Sequence, residues 1–322
     1  MGRAVHVALS LVVLAAACTG TPTSPAPARW SSASPGLLCP APLTVAGVIG
    51  AAAPVSFPLP QAAGDTAVAE VVCTPAPGAT FTLGTTPVMC QAVDRIGRDV
   101  SCGFTVTLTP AMFALKRIVA FGDSVTRGET GVPFGEAMLL IIDTPNAYPT
   151  RLQERFDTDF PGQGIIVINQ GVSGERITEA VARLPGVVMA QQPGGLLLLV
   201  GYNDLFTLGM AGAAPVAEGL RTMIRAARLA GVPHVLVSTL TPSQPGPRQI
   251  EPAVILQANV LIRQVAAAEG ALLVAADDAF FGQAPTLVGP DGLHLTPAGN
   301  QVLAAAFYAA LRNAVPVTSS IR

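Results

Sequence analysis

The chain has 322 residues, enough for one or two domains with real cores. Half of the residues are hydrophobic, 12% are charged, 5% are aromatic, and the formal net charge is -2. That balance excludes the basic field and the stacking platforms of a nucleic-acid-binding surface.

Residues 1–18 open with Arg3 and run mostly apolar from Val5 to Ala17. The run is too short and too Ala-rich for a membrane span and reads as an export signal. Leu14-Ala15-Ala16-Ala17-Cys18-Thr19-Gly20 resembles the lipobox of bacterial lipoproteins, with its Leu four places before the Cys instead of three. The resemblance implies removal of the signal and lipidation of Cys18, with simple secretion as the alternative. In either case the protein reaches an oxidising compartment, and any membrane contact comes through that anchor. Residues 19–37 are rich in Pro, Ser and Thr, cannot bury a core, and read as an extended tether.

Residues 38–110 alternate apolar and small polar residues in short runs: Ala69 to Cys73, Thr80 to Leu83, Val88 to Val93, Phe104 to Leu108. Turns such as Pro75-Ala76-Pro77-Gly78 and Arg95-Ile96-Gly97-Arg98 separate them, which predicts a small β-sandwich. Four of the five Cys fall here, an even set that reads as two disulfides with three connectivities open. Cys39-Pro40, Val72-Cys73, the run from Phe81 to Cys90, Ala92-Val93-Asp94, Gly97 and Ser101-Cys102-Gly103-Phe104 resemble a hyalin-repeat module, an immunoglobulin-like domain. The resemblance implies Cys39–Cys102 and Cys73–Cys90 pairs. It makes this segment a spacer or adhesion module whose surface is open to a partner.

From Lys116 apolar runs alternate with helical stretches. The predicted strands are Ile118–Phe121, Ile165–Asn169, Leu196–Val200, His234–Leu240 and Ala271–Ala275. The predicted helices are Tyr148 to Phe156, Arg176 to Leu184, Ala214 to Leu229, Glu251 to Ala268 and Pro297 to Asn313. This pattern argues for an α/β domain with a parallel sheet covered on both faces, over about 116–313, followed by a tail at 314–322.

In such a sheet the site lies at the carboxyl ends of strands. Gly122-Asp123-Ser124 follows the first strand, Asn169-Gln170-Gly171 ends the second, Gly201-Tyr202-Asn203-Asp204 follows the third, and Asp291-Gly292-Leu293-His294 precedes the last helix. Ser124 needs a base to act as a nucleophile. His6 lies in the export segment and His234 begins a strand at the opposite edge, which leaves His294, with Asp291 three residues earlier to hold its ring. The Ser124 N–H, the Gly171 N–H and the Asn203 amide are the candidate oxyanion donors.

Together these four ordered blocks resemble the SGNH/GDSL hydrolase family, whose Ser, Gly, Asn and His match Ser124, Gly171, Asn203 and His294, with Asp291 as the acid. Val125 stands where the family name has Leu. The resemblance implies a flavodoxin-like three-layer fold, ester hydrolysis through an acyl-enzyme on Ser124, and neither metal nor cofactor. The expected substrate is a small-molecule, lipid or glycan ester, and the protein is expected to be an exported monomer, cell-surface lipoprotein or secreted. A surface adhesion protein with a vestigial hydrolase domain, and an acyltransferase on the same site, are the alternatives. Residues 131–146 read as an insertion whose Met138-Leu139-Leu140-Ile141-Ile142 flanks or lids an acyl pocket, or simply packs on the domain. Asp277-Asp278 reads as a solvated loop.

Overall fold

A computed structural model describes residues 36–63 and 67–319. The expected export signal with Cys18, and the tether up to residue 35, lie outside the described residues.

The N-terminal part is a β-sandwich of β1 (Gly36–Leu38), β2 (Leu43–Val48), β3 (Ala52–Pro54), β4 (Gln61–Ala63), β5 (Val72–Thr74), β6 (Thr80–Thr82), β7 (Gly84–Val93) and β8 (Asp99–Phe113). The alternation seen in the sequence has a direct cause. Along β7, Val88, Cys90 and Ala92 are buried while Met89, Gln91 and Val93 face out. β7 and β8 form the longest ladder, from Gly84↔Leu108 to Val93↔Asp99. Phe57, Phe81, Val88, Phe104, Val106 and Leu108 meet in the core. Cys39 is bonded to Cys102 and Cys73 to Cys90, the two pairs the hyalin-type resemblance implies.

The α/β domain follows through β9 (Arg117–Gly122), α1 (Ser124–Arg127), β10 (Glu129–Phe134), β11 (Ala137–Ile142), α2 (Tyr148–Asp159), β12 (Ile166–Gly171), α3 (Ile177–Gln191) and β13 (Gly195–Leu199). Then come α4 (Tyr202–Leu208), α5 (Ala213–Leu229), β14 (His234–Ser238), α6 (Pro252–Glu269), β15 (Leu272–Val274), α7 (Ala276–Ala279), α8 (Ala284–Leu287), α9 (Pro297–Ala314) and β16 (Val317–Ser319). The sheet runs β12-β9-β13-β14-β15, all parallel. Counted within the domain this is the 2-1-3-4-5 order of a flavodoxin-like sheet. Every residue of β13 is buried, as are all of β9 but its first, which is why these strands read as unbroken apolar runs. Along α5, Ala213, Val216, Ala217, Leu220, Met223, Ile224 and Ala227 form the buried stripe of an amphipathic helix.

Several boundaries differ from the sequence expectation, beginning with the tether, whose last two residues, Gly36 and Leu37, already pair with β4 as part of β1. α3 continues through Pro185-Gly186 to Gln191, because both residues are exposed while Leu184 and Val188 carry the buried stripe past them. β8 runs beyond residue 110, and its last residue, Phe113, packs on the rings of Phe156 and Phe160 in the core of the α/β domain. The expected tail supplies β16, which pairs antiparallel with Phe113, Met112 and Ala111 of β8. The insertion expected at 131–146 is an antiparallel hairpin, β10 on β11, with Glu129 opposite Ile142 and Phe134 opposite Ala137.

Candidate active site

The order of strands reverses at β9, so the crevice at its carboxyl end, beside β13, is where this topology leaves room for a ligand. β9 ends at Gly122 and Asp123 starts α1. The Asp123 Oδ1 accepts the Val125 N–H at 3.1 Å, an N-cap bond that fixes the turn carrying Ser124. Gly128, at φ 94°, closes that turn with its N–H on the Ser124 carbonyl at 3.0 Å and sends the chain into β10.

His294 reaches the same point from the other end of the domain. Thr296 caps α9, its Oγ1 accepting the Gly299 N–H at 3.1 Å, and Pro297 takes the first helical position. The ring is fully buried, with Nε2 at 2.8 Å from Ser124 Oγ and Nδ1 at 2.5 Å from Asp291 Oδ2. Asp291 Oδ1 accepts the Leu293 and His294 N–H groups, each at 3.0 Å. Burial alone raises the Asp291 carboxyl. The hydrogen bond and charge of His294, with those two N–H groups, outweigh it and leave the pKa below its ordinary value. An ionised Asp291 holds the proton on Nδ1, so Nε2 keeps the lone pair that faces the Ser124 hydroxyl.

Asp123 behaves in the opposite way. It is fully buried, and that desolvation, against the N–H groups of Val125 and Gly201 and the charge of His294, pushes its pKa up to about 7. Its Oδ2 accepts the Gly201 N–H at 3.3 Å and so ties the end of β9 to the end of β13.

Gly171 lies at the end of β12 directly against α1. A Cβ there would come within 2.2 Å of the Arg127 nitrogen, so only glycine fits. Its N–H donates to Asn169 Oδ1 at 2.9 Å, while Asn169 Nδ2 donates to the Thr126 carbonyl at 2.9 Å. The Asn203 side chain, in the first turn of α4, donates one amide N–H to the Glu175 carbonyl at 3.0 Å. An amide nitrogen carries two such donors. Its neighbour Asp204 accepts the Ile177 N–H at 2.9 Å and so fixes the start of α3.

One group at the site was missed in the sequence. Glu129 Oε2 lies 3.5 Å from His294 Nε2. Glu129 Oε1 accepts the Ser173 hydroxyl proton, and Ser173 Oγ accepts from Arg127 at 3.1 Å. The only sequence signal was its place one residue past the glycine that closes α1. Gly131 of the same strand lies so close to Asp291 that a Cβ would come within 2.6 Å of the Asp291 Cβ. Met138, Leu140 and Phe206 line a cavity of about 270 Å³ with Pro247, Arg248 and Asp291. Two cavities of about 510 and 760 Å³ lie elsewhere, and neither is lined by Ser124, His294 or Asp291. Size is therefore no guide to the site here.

Two other groups are settled by the structure. His234 begins β14 opposite Gly195, at the amino edge of the sheet. Of the expected solvated loop at Asp277-Asp278, Asp278 is exposed as expected, while Asp277 is largely covered and part of a short helix. Both bond Arg263 of α6, at 2.8 and 3.1 Å, and Asp277 also accepts the Thr239 hydroxyl at 2.6 Å, because the run folds into α7.

Residues 120–302, more than half of the chain, match the GDSL-like lipase/acylhydrolase family, and residues 45–108 match the HYR domain. The chain belongs to the GDSL-like lipase/acylhydrolase family. Among curated relatives it is 28% identical over 140 residues to the esterase TesA of Pseudomonas aeruginosa, covering 43% of this chain and 61% of that protein. It is 29% identical over 91 residues to an acetylxylan esterase of Geobacillus stearothermophilus, covering 28% of this chain and 41% of that protein. The chain thus spans about three-fifths and two-fifths of the length of these relatives. Of solved structures, LAE5, an alpha/beta hydrolase from the metagenome of Lake Arreo, matches with a TM-score of 0.50 and 23% identity, covering 61% of this chain and 94% of that one. The lipase/acylhydrolase of Enterococcus faecalis matches with a TM-score of 0.50 and 22% identity, covering 62% and 97%. These two likenesses establish the fold.

Proposed function

We propose that this protein is an exported hydrolase of carboxylic esters that works through an acyl-enzyme on Ser124. The observation that carries the reading is the hydrogen-bonded line from Ser124 Oγ through His294 to Asp291, at 2.8 and 2.5 Å, at the switch point of the sheet. Ser124 attacks the ester carbonyl as Nε2 takes its proton; the imidazolium, steadied by Asp291, then protonates the departing alcohol. The Ser124 N–H and the second amide N–H of Asn203 bind the oxyanion. The Gly171 N–H joins them once the ester oxygen displaces Asn169 Oδ1 from it. Export is supported by the two disulfides and the HYR domain. Lipidation of Cys18 is the finer form of this proposal.

The proposed acyl pocket is the cavity that Met138, Leu140 and Phe206 line beside Asp291. These apolar side chains, with Phe206 one turn along α4 from Asn203, support that reading. The vestigial-domain alternative is opposed by the Ser124–His294 contact, which a domain kept only for binding has no need of.

Hydrolysis of p-nitrophenyl esters by the purified protein tests the reading. Ser124→Ala is expected to lower kcat/KM by at least ~10^3-fold while the thermal transition stays in place. Full activity in that variant overturns the assignment of the nucleophile.

A further inference from the structure

The hydrolytic half of the cycle needs a second acceptor that the line from Ser124 to Asp291 does not supply. Once Ser124 carries the acyl group, a water must sit against His294 Nε2 with one proton directed at that nitrogen. Its other proton is free to let it rotate out of line, and holding a reacting group in one orientation is worth a large part of a barrier. Glu129 meets the requirement. Oε2 lies 3.5 Å from Nε2, and among the described residues no hydrogen-bond donor reaches it. Oε1 is taken by Ser173, which Arg127 holds in turn at 3.1 Å, so the carboxylate is braced from behind with its second oxygen aimed at the reaction centre. The side chain is 13% exposed, so a water can reach the free oxygen while the rest of the carboxylate is held in the protein. β10 cannot lift away easily either, because Gly131 is seated on Asp291.

We propose that Glu129 is the positioning residue for deacylation: it accepts one proton of the attacking water in a hydrogen bond while His294 Nε2 removes the other. This rests on the acyl-enzyme reading. The water oxygen bonds to the acyl carbon, one O–H proton passes to Nε2, and the carbonyl electrons move onto the oxyanion. The intermediate collapses with cleavage of the bond to Ser124 Oγ, which takes the proton back from Nε2, and a carboxylic acid leaves. Glu129 is unchanged throughout. Departure of the alcohol in the first half of the cycle needs no water held there, and the charge beside the imidazolium serves both halves alike, so its loss falls mainly on deacylation.

Stopped-flow hydrolysis of p-nitrophenyl acetate by the full chain separates the two steps, since the first release of p-nitrophenolate reports acylation and the steady rate reports deacylation. In Glu129→Ala, acylation is expected to fall a few-fold at most and deacylation by a further factor of about ten or more, so that a burst of one equivalent stands out. Glu129→Gln keeps an acceptor oxygen and is expected to fall less. Ser173→Ala frees the carboxylate from its brace and is expected to slow deacylation a few-fold. If Glu129→Ala does not fold, the other two variants carry the same split. Equal loss in both steps identifies a merely structural strut and overturns the proposal, as does no change in either. The absence of any burst or acyl adduct in every form, wild type included, overturns the acyl-enzyme reading and this proposal with it.

Discussion

In the sandwich, a narrow core of Val88, Phe81, Phe104, Val106 and Leu108 is backed by two disulfides, one of them joining opposed residues of β5 and β7. In the α/β domain, five parallel strands are covered on both faces, the core is far larger, and no cysteine occurs. The difference follows from size, because a domain of some seventy residues buries a small fraction of its surface and leans on covalent staples. The larger domain has stability to spare and spends it on burying polar groups at one sheet edge. Asp123, Ser124, Asp204, Asp291 and His294 are all at most 5% exposed there. Such groups cost several kcal/mol each unless partnered, so their concentration at one edge marks the place where function overrides packing.

The largest expected effect separates function from stability inside the α/β domain. Asp291→Asn keeps the shape of the acid but lets His294 adopt the other tautomer, and kcat on p-nitrophenyl esters is expected to fall by roughly 10^3- to 10^4-fold. The disulfide-stapled sandwich should be indifferent to it.

The second prediction concerns Asp123, whose folded pKa of about 7 stands above its ordinary value of 3.8. The folded state therefore keeps a proton that the unfolded chain has lost between those two values. Stability from this group is fully present below about pH 4, falls as pH rises through 7, and levels off above it. Denaturant unfolding from pH 4 to 8 is expected to show the wild type losing about 4 kcal/mol relative to Asp123→Asn across that window. Parallel pH profiles for the two proteins would place the titration elsewhere.

A smaller effect is expected from the sandwich. Replacing Cys73 and Cys90 by Ser opens a loop with a sequence separation of 17 and is expected to cost about 3 kcal/mol, read as an earlier calorimetric transition. kcat/KM should stay within two-fold, and a matching loss of activity would join the two regions into one cooperative unit. The smallest effect is expected at the proposed acyl cavity. Leu140→Trp is expected to lower the octanoate-to-acetate ratio of kcat/KM by about ten-fold, and an unchanged ratio would remove the hairpin from the pocket.

Much of this was legible in the sequence, for physical reasons. Strands buried on both faces leave apolar runs, and the turns after them must carry whatever polar chemistry the sheet edge holds, so Ser124, Gly171, Asn203 and His294 stood out against their surroundings. What escaped reading depended on contacts between distant residues. Glu129 is an ordinary acidic residue until the hairpin is folded back onto Asp291. Asp277 looked solvated because Arg263, its partner, lies fourteen residues earlier on another helix. Pro185 looked like a helix end because its exposed setting is a tertiary fact. The Gly171 N–H was read as a free donor because nothing in sequence tells that Asn169, two residues back, folds onto it.

The central claim is that Ser124 carries the acyl group. Labelling the full chain with a fluorophosphonate probe, followed by mass spectrometry of its peptides, tests it most directly. One adduct per chain is predicted, on the peptide holding Ser124, absent from Ser124→Ala and suppressed by prior incubation with an ester substrate. Ester turnover by a protein that takes up no probe at Ser124, or that is labelled equally well as Ser124→Ala, would contradict it.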